Sequence, residues 1–275
     1  MQVRTLPAAH GWLWILHGFS LFRAHPALWL LLLIFYWLVL LLAGSIPLVG
    51  PLLGTALIPG LAAGFMVACR AVQEKKPPLP AQLLGPLKSN TRPQLLLGAL
   101  YLGALALVLA VVALADAGAL FRIMLMGAKV SRQSIPELQT SAFLGIMLYA
   151  PVMLAFWFAP ALTLWEGMTP AKSLFFSFFA GWRNLKAFLV YGLGWILFAV
   201  IVPMIIGLIV GALVPRQGSG ASMVALIIMP YMLAVMCAMI CSFYSSYVAI
   251  FAPGEDAPAD ALAEKAEEPP PPPAP

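Results

Sequence analysis

Hydrophobic positions in this chain come in long blocks. Residues 26–69, 93–115, 142–165, 187–215 and 217–254 contain no Asp, Glu, Lys, Arg or His, and the charges fall between these blocks. A helix needs about 20 apolar residues to cross roughly 30 Å of hydrocarbon, and every block meets that length. The first block is too long for one helix, and Ser45, Pro47, Gly50 and Pro51 divide it at a very short turn. Reading Pro and Gly as helix punctuation predicts helices over about 27–44, 51–70, 94–115, 142–165, 188–214 and 223–251. The expected fold class is all-α: a polytopic transmembrane helical bundle of about six helices in three hairpins.

Shorter amphipathic and basic stretches lead into each hairpin, over about 11–25, 80–92 and 169–187. They are expected to be interfacial approach helices. In the first, His10, His17 and Ser20 form a narrow stripe among Trp12, Trp14, Ile15 and Phe19, and Trp suits the headgroup boundary. No convincing cleavage site follows it, so it is read as uncleaved rather than as a signal peptide. In the third, Thr169 and Pro170 read as N-cap and N1. Ser173, Ser177 and Asn184 share one face there, and Phe175, Phe176, Phe179 and Trp182 supply apolar bulk. Asn90, Arg92 and Gly98 match Asn184, Lys186 and Gly192 in spacing, which chance explains as readily as an internal repeat. Within the long loop 116–141, the apolar part Ala119–Met126 is expected on the outer interface.

Charge adds orientation. The chain is 63% hydrophobic and 9% charged, against about 25% charged residues in a soluble domain. Residues 1–252 carry a balance of +10, and residues 253–275 carry −5. Eleven Lys/Arg fall on the side of the N-terminus, the loops 70–93 and 167–187 and the tail, and four fall on the other side. The positive-inside rule then places both termini in the cytoplasm. The Pro-rich acidic stretch 253–275 is expected to be a disordered tail, since that composition buries too little to fold.

Candidate chemistry is sparse. The charge-free blocks argue against proton-coupled transport, because ionisable residues inside a membrane are costly and mark relays. The histidines, His10, His17 and His25, all precede the first span, and Cys69, Cys237 and Cys241 lie in apolar blocks. No metal-ligand spacing, catalytic triad, P-loop or dinucleotide fingerprint is present. The expectation is no enzyme activity, no cofactor, no metal and no nucleic-acid partner. Gly60/Gly64 and Gly207/Gly211 suit close helix packing, within the monomer by preference and in a homodimer as the alternative. Pro59, Pro151, Pro160, Pro203 and Pro230 interrupt the predicted helices as kinks or as parts of a binding site.

Gly11-Trp12, Leu21-Phe22, Pro26 with Trp29, the run Ile46-Pro47-Leu48-Val49-Gly50, and Pro59-Gly60 leading to Gly64 carry a resemblance. On these residues the chain resembles an uncharacterised family of proteobacterial six-helix inner-membrane proteins, over residues 1–252. It is more distantly similar to the membrane domains attached to bacterial glycerophosphodiester phosphodiesterases. The resemblance implies a bacterial inner membrane and supplies no functional residues, and phosphodiesterase activity does not carry over.

Two functions fit. One is a non-catalytic multi-pass protein that binds lipids of an anionic leaflet, or a membrane protein partner. Its headgroup contacts would be Arg23, Lys75, Lys76, Lys88, Arg92, Lys172, Arg183 and Lys186. The other is a small uncoupled permease or lipid transporter that uses the kinked helices.

Overall fold

The computed structural model describes residues 3–116, 118, 122, 123, 135–213 and 220–251. The regular structure among them is helical. The helices are α1 (His10–Ala24), α2 (Pro26–Gly44), α3 (Gly50–Gln73), α4 (Pro80–Ser89), α5 (Thr91–Ala115), α6 (Ile135–Trp165), α7 (Pro170–Arg183), α8 (Leu185–Ile196), α9 (Val202–Leu213) and α10 (Gly220–Phe251). A π-helical stretch, Leu197–Ile201, joins α8 to α9. Among the described residues, six stretches are long and apolar enough to cross a membrane: Pro26–Gly44, Gly50–Gln73, Thr91–Ala115, Leu138–Trp165, Leu185–Ala212 and Ala225–Phe251. The protein is an all-α polytopic bundle. The expected tail 253–275 and most of Ala119–Met126 lie outside the described residues.

Local chemistry explains the boundaries. Pro26 opens α2, where its fixed φ and missing N–H cost nothing. α3 closes with paired bonds from Lys75 N–H to the Val72 carbonyl (2.9 Å) and from Lys76 N–H to the Ala71 carbonyl (2.8 Å). Lys75 takes the left-handed position of that cap, at φ 61°. Gly167 fills the left-handed place after α6, at φ 60°. The predicted fifth helix is not one regular rod. Pro203 stands at the second position of α9, just past the π-helical stretch. A proline lacks the donor for the carbonyl four residues back, and the wider turn accommodates that loss.

The chain divides into two compact units. The first comprises Met1–Trp37, Gly64–Leu83 and Trp182–Pro275. In it α1 packs against α8 and α10. Gly11 meets the Ala187 carbonyl and Gly18 meets the Ala238 carbonyl and Ser242, so that a Cβ at either would overlap them. Trp14 and Ile15 are fully buried. α1 is therefore a packed element of this unit on that side. Ahead of it, Arg4 N–H donates to the Ile250 carbonyl (3.0 Å). The Asn184 amide grips the same segment twice. Its Oδ1 accepts from Leu6 N–H at 2.8 Å, and its Nδ2 donates to the Arg4 carbonyl at 2.9 Å.

The second unit comprises Leu38–Ala63 and Leu84–Gly181. In it α5 pairs with α6. Gln94 is buried, and its Nε2 donates to the Pro160 carbonyl and to Thr163 Oγ1, both at 3.0 Å. Asn90, at the break between α4 and α5, donates to the Thr163 carbonyl (3.0 Å). Gly98 lies against the Ala56 carbonyl. Ser177 of α7 bonds to the backbone of α6 one half-turn before Pro160. Phe158 N–H donates to Ser177 Oγ (2.9 Å), which donates to the Leu154 carbonyl (2.7 Å). Ser and Thr hydroxyls often supply such bonds near helix-breaking prolines in membranes.

Candidate functional site

The strongest candidates are the basic residues at the ends of the approach helices, Arg23, Lys75, Lys76, Arg183 and Lys186 in the first unit and Lys88, Arg92 and Lys172 in the second. Arg23 lies in the last turn of α1, Lys88 in the last turn of α4 and Arg183 in the last turn of α7. Lys172 is in the first turn of α7, Arg92 opens α5, Lys186 opens α8, and Lys75 and Lys76 follow α3. All eight are exposed. Three stand at helix C-termini, where a cation also complements the helix dipole.

The loop after α3 has its own charge order. Glu74 Oε2 accepts from Lys76 Nζ at 2.8 Å, and its other oxygen lies 3.4 Å from Arg70 Nε. The hydrogen bond and charge of Lys76 hold the Glu74 carboxyl below the usual carboxylate range, with Arg70 adding to the effect. Lys75, Lys88 and Arg92 have no acidic partner among the described residues. They are the cations of this set most available to an external anion.

α7 is amphipathic in the opposite sense from a soluble helix. Ser173, Ser177, Ala180 and Gly181 are buried, and Gly181 approaches the Leu154 side chain. Phe175 and Trp182 are each 59% exposed, and Phe179 lies between them on the outer side. The Phe175 and Phe179 rings stand 4.5 Å apart, and Lys172 Nζ sits 5.8 Å from the Phe176 centroid. The sequence grouped these faces correctly, and the structure shows which one points inward. An outward aromatic ridge flanked by Lys172, Arg183 and Lys186 matches the chemistry of a headgroup boundary.

The candidate packing glycines differ from one another. Gly60 and Gly64 receive α4, through Leu87 and Leu83 respectively. Gly207 and Gly211 have no neighbouring atom within 4 Å of where a Cβ would stand. Pro59 lies inside α3, Pro151 and Pro160 inside α6 and Pro230 inside α10. The Tyr231 hydroxyl donates to the Phe198 carbonyl (2.8 Å) in the π-helical stretch, as Ser177 serves Leu154 in α6.

Sequence reasoning missed one pairing. His17 Nδ1 lies 2.9 Å from Ser245 Oγ, across 228 residues of chain. Both residues are buried, and burial lowers the His17 pKa to about 4. The imidazole is therefore neutral at physiological pH. A neutral histidine beside a serine is the first half of a nucleophilic dyad, but both groups are enclosed by packed helices. Its evident work is to fasten α1 to α10. Polar residues inside otherwise apolar blocks were the available signal for this pair, for Gln94 and for Ser177.

No family model and no solved structure matches the chain. Among curated proteins, it is 38% identical over 260 residues to a probable inner membrane protein of Burkholderia thailandensis, covering 91% of this chain and 94% of the relative. With six apolar spans and that extent of shared sequence, the chain belongs to the family of this inner membrane protein.

Proposed function

We propose that this protein is a non-catalytic, multi-pass component of a bacterial inner membrane that binds anionic lipid headgroups through its approach helices. Both termini then face the cytoplasm, where the anionic leaflet meets these basic residues. The observation that carries the reading is α7, with small and hydroxyl side chains inward and aromatic and basic ones outward. Each Lys or Arg near an anionic leaflet contributes about 1 kcal/mol. The alternative, an uncoupled permease or lipid transporter built on the kinks, has less support. The polar side chains Ser177 and Tyr231 near two of those kinks are engaged in bonds to the Leu154 and Phe198 carbonyls.

The test replaces Lys75, Lys76, Lys88 and Arg92 with Gln and releases the protein from bilayers of defined anionic content into native mass spectrometry. Loss of bound anionic lipid at unchanged fold supports the proposal. Retention equal to the unaltered protein overturns it.

A further inference from the structure

The turn between α2 and α3 is unlike a loop built for water. Residues 45–50 carry no charge, and Ile46, Leu48 and Val49 are all exposed. Leu48 is 96% exposed and adopts φ 66°. Left-handed backbone costs an L-residue roughly 1–2 kcal/mol, and aqueous turns place Gly, Asn or Asp at such positions. A leucine here bears both that backbone cost and the cost of an apolar side chain held outward. The outward side chain is explained if the surroundings are apolar.

The helix lengths say which surroundings those are. α2 has 19 residues, which at 1.5 Å per residue is about 28 Å. From Gly50, the first residue of α3, to Cys69, the last before Arg70, is a run of similar length, about 30 Å. Hydrocarbon is about 30 Å thick. With Arg23 and Arg70 held at one headgroup layer, neither leg is long enough to lift the turn clear of the other. The turn also satisfies much of its own backbone. Ser45 N–H donates to the Leu41 carbonyl (2.9 Å), Val49 N–H to Pro47 (2.8 Å) and Gly50 N–H to Ile46 (2.8 Å). Ser45 Oγ donates to the Leu42 carbonyl (2.8 Å), and Pro47 has no N–H to satisfy. Internal pairing of this kind is what immersion in lipid demands.

We infer that the Ser45–Val49 turn is a membrane wedge, set at the acyl boundary of the leaflet opposite Arg23 and Arg70 with Leu48 among the lipid chains. The first hairpin thus contacts both leaflets and presents no aqueous loop on its far side. Lipid, rather than a second protein, is the occupant, because the turn sits at the depth where lipid chains are the default neighbour.

The experiment places a nitroxide at Leu48→Cys in the full chain in nanodiscs, with Lys75→Cys as the aqueous control. The native cysteines are buried, and unmodified protein gives the background label. Collision with dissolved oxygen should exceed collision with a water-soluble nickel chelate at position 48, and the order should reverse at position 75. Nickel access at 48 equal to that at 75 overturns the inference, and so does shielding from both reagents, which would mean a protein cover. A benzophenone residue in place of Leu48 supplies an independent reading. Lipid adducts support the wedge, and a protein adduct overturns it.

Discussion

The Ser177 hydroxyl bridges two backbone groups, of Phe158 and Leu154, in the neighbouring helix. It accepts from the Phe158 amide at 2.9 Å and passes the bond to the Leu154 carbonyl at 2.7 Å. One side chain thus ties α7, the helix that carries the aromatic and basic outer face, to α6.

Removing that hydroxyl should therefore cost more than removing a similar one nearby. Ser177→Ala removes a buried hydroxyl that bonds two backbone groups of the neighbouring helix, a loss of about 1–3 kcal/mol. Ser173→Ala removes only a local bond to the Pro170 carbonyl and should cost less than half as much. Thermal unfolding of both variants in the same detergent measures the difference. Equal melting temperatures would refute the bridging role.

Close approach makes a second contrast. Gly18→Ala forces a methyl group into the Ala238 backbone and should destabilise by about 1–3 kcal/mol through overpacking. Gly207→Ala enters open space and should be neutral or stabilising by up to about 1 kcal/mol from helix propensity. Melting temperature and size-exclusion mass together read the result. If Gly207→Ala dissociates a dimer, that glycine pair is an interface between copies.

His17 predicts a pH dependence with a definite sign. Its pKa falls from 6.5 in the unfolded chain to about 4 in the fold, so between these values the unfolded state binds more protons. Stability is then complete above pH 6.5 and declines as pH falls toward 4, by on the order of 3 kcal/mol. His17→Asn should flatten that slope. Melting temperatures from pH 7 to 4 for the two proteins provide the check, and parallel curves would rule the assignment out.

The basic residues should respond unequally to single charge changes. Lys75 has no acidic partner among the described residues and Lys76 is bound to Glu74, so Lys75→Gln should weaken anionic-lipid binding more than Lys76→Gln. Glu74→Gln releases Lys76 and removes a negative charge. It should tighten binding about fivefold at low salt, an effect that screening reduces as ionic strength rises. Lipid retention in native mass spectra at two salt concentrations gives both comparisons.

The sequence revealed the spans and concealed how they face one another. Block length and the absence of charge located all six, because lipid tolerates no charged residue cheaply. Within a block the signal disappears. Lipid and protein neighbours are equally apolar, so periodicity does not separate an outward Leu41 from an inward Leu61. The readable marks were small and polar residues. Gly18, Gln94 and Ser177 each sit at a helix contact, but their partners lie 220, 66 and 19 residues away. Trp14 illustrates the same problem, since an interfacial tryptophan and a buried one look alike in sequence. Lys172, Arg183 and Lys186 were legible because charge belongs at the surface.

Asn184 and the helix contacts of α1 bear on the order of assembly. The segment around Arg4 and Leu6 is made well before its binding groups, since Leu6 precedes Asn184 by 178 residues and Arg4 pairs with Ile250 further on. Gly11 and Gly18 likewise wait for Ala187 and Ala238. During translation, α1 must persist without the helices that finally enclose it. Closure of this unit therefore follows the synthesis of Ala238, and a ribosome that stops before residue 238 leaves α1 unsealed.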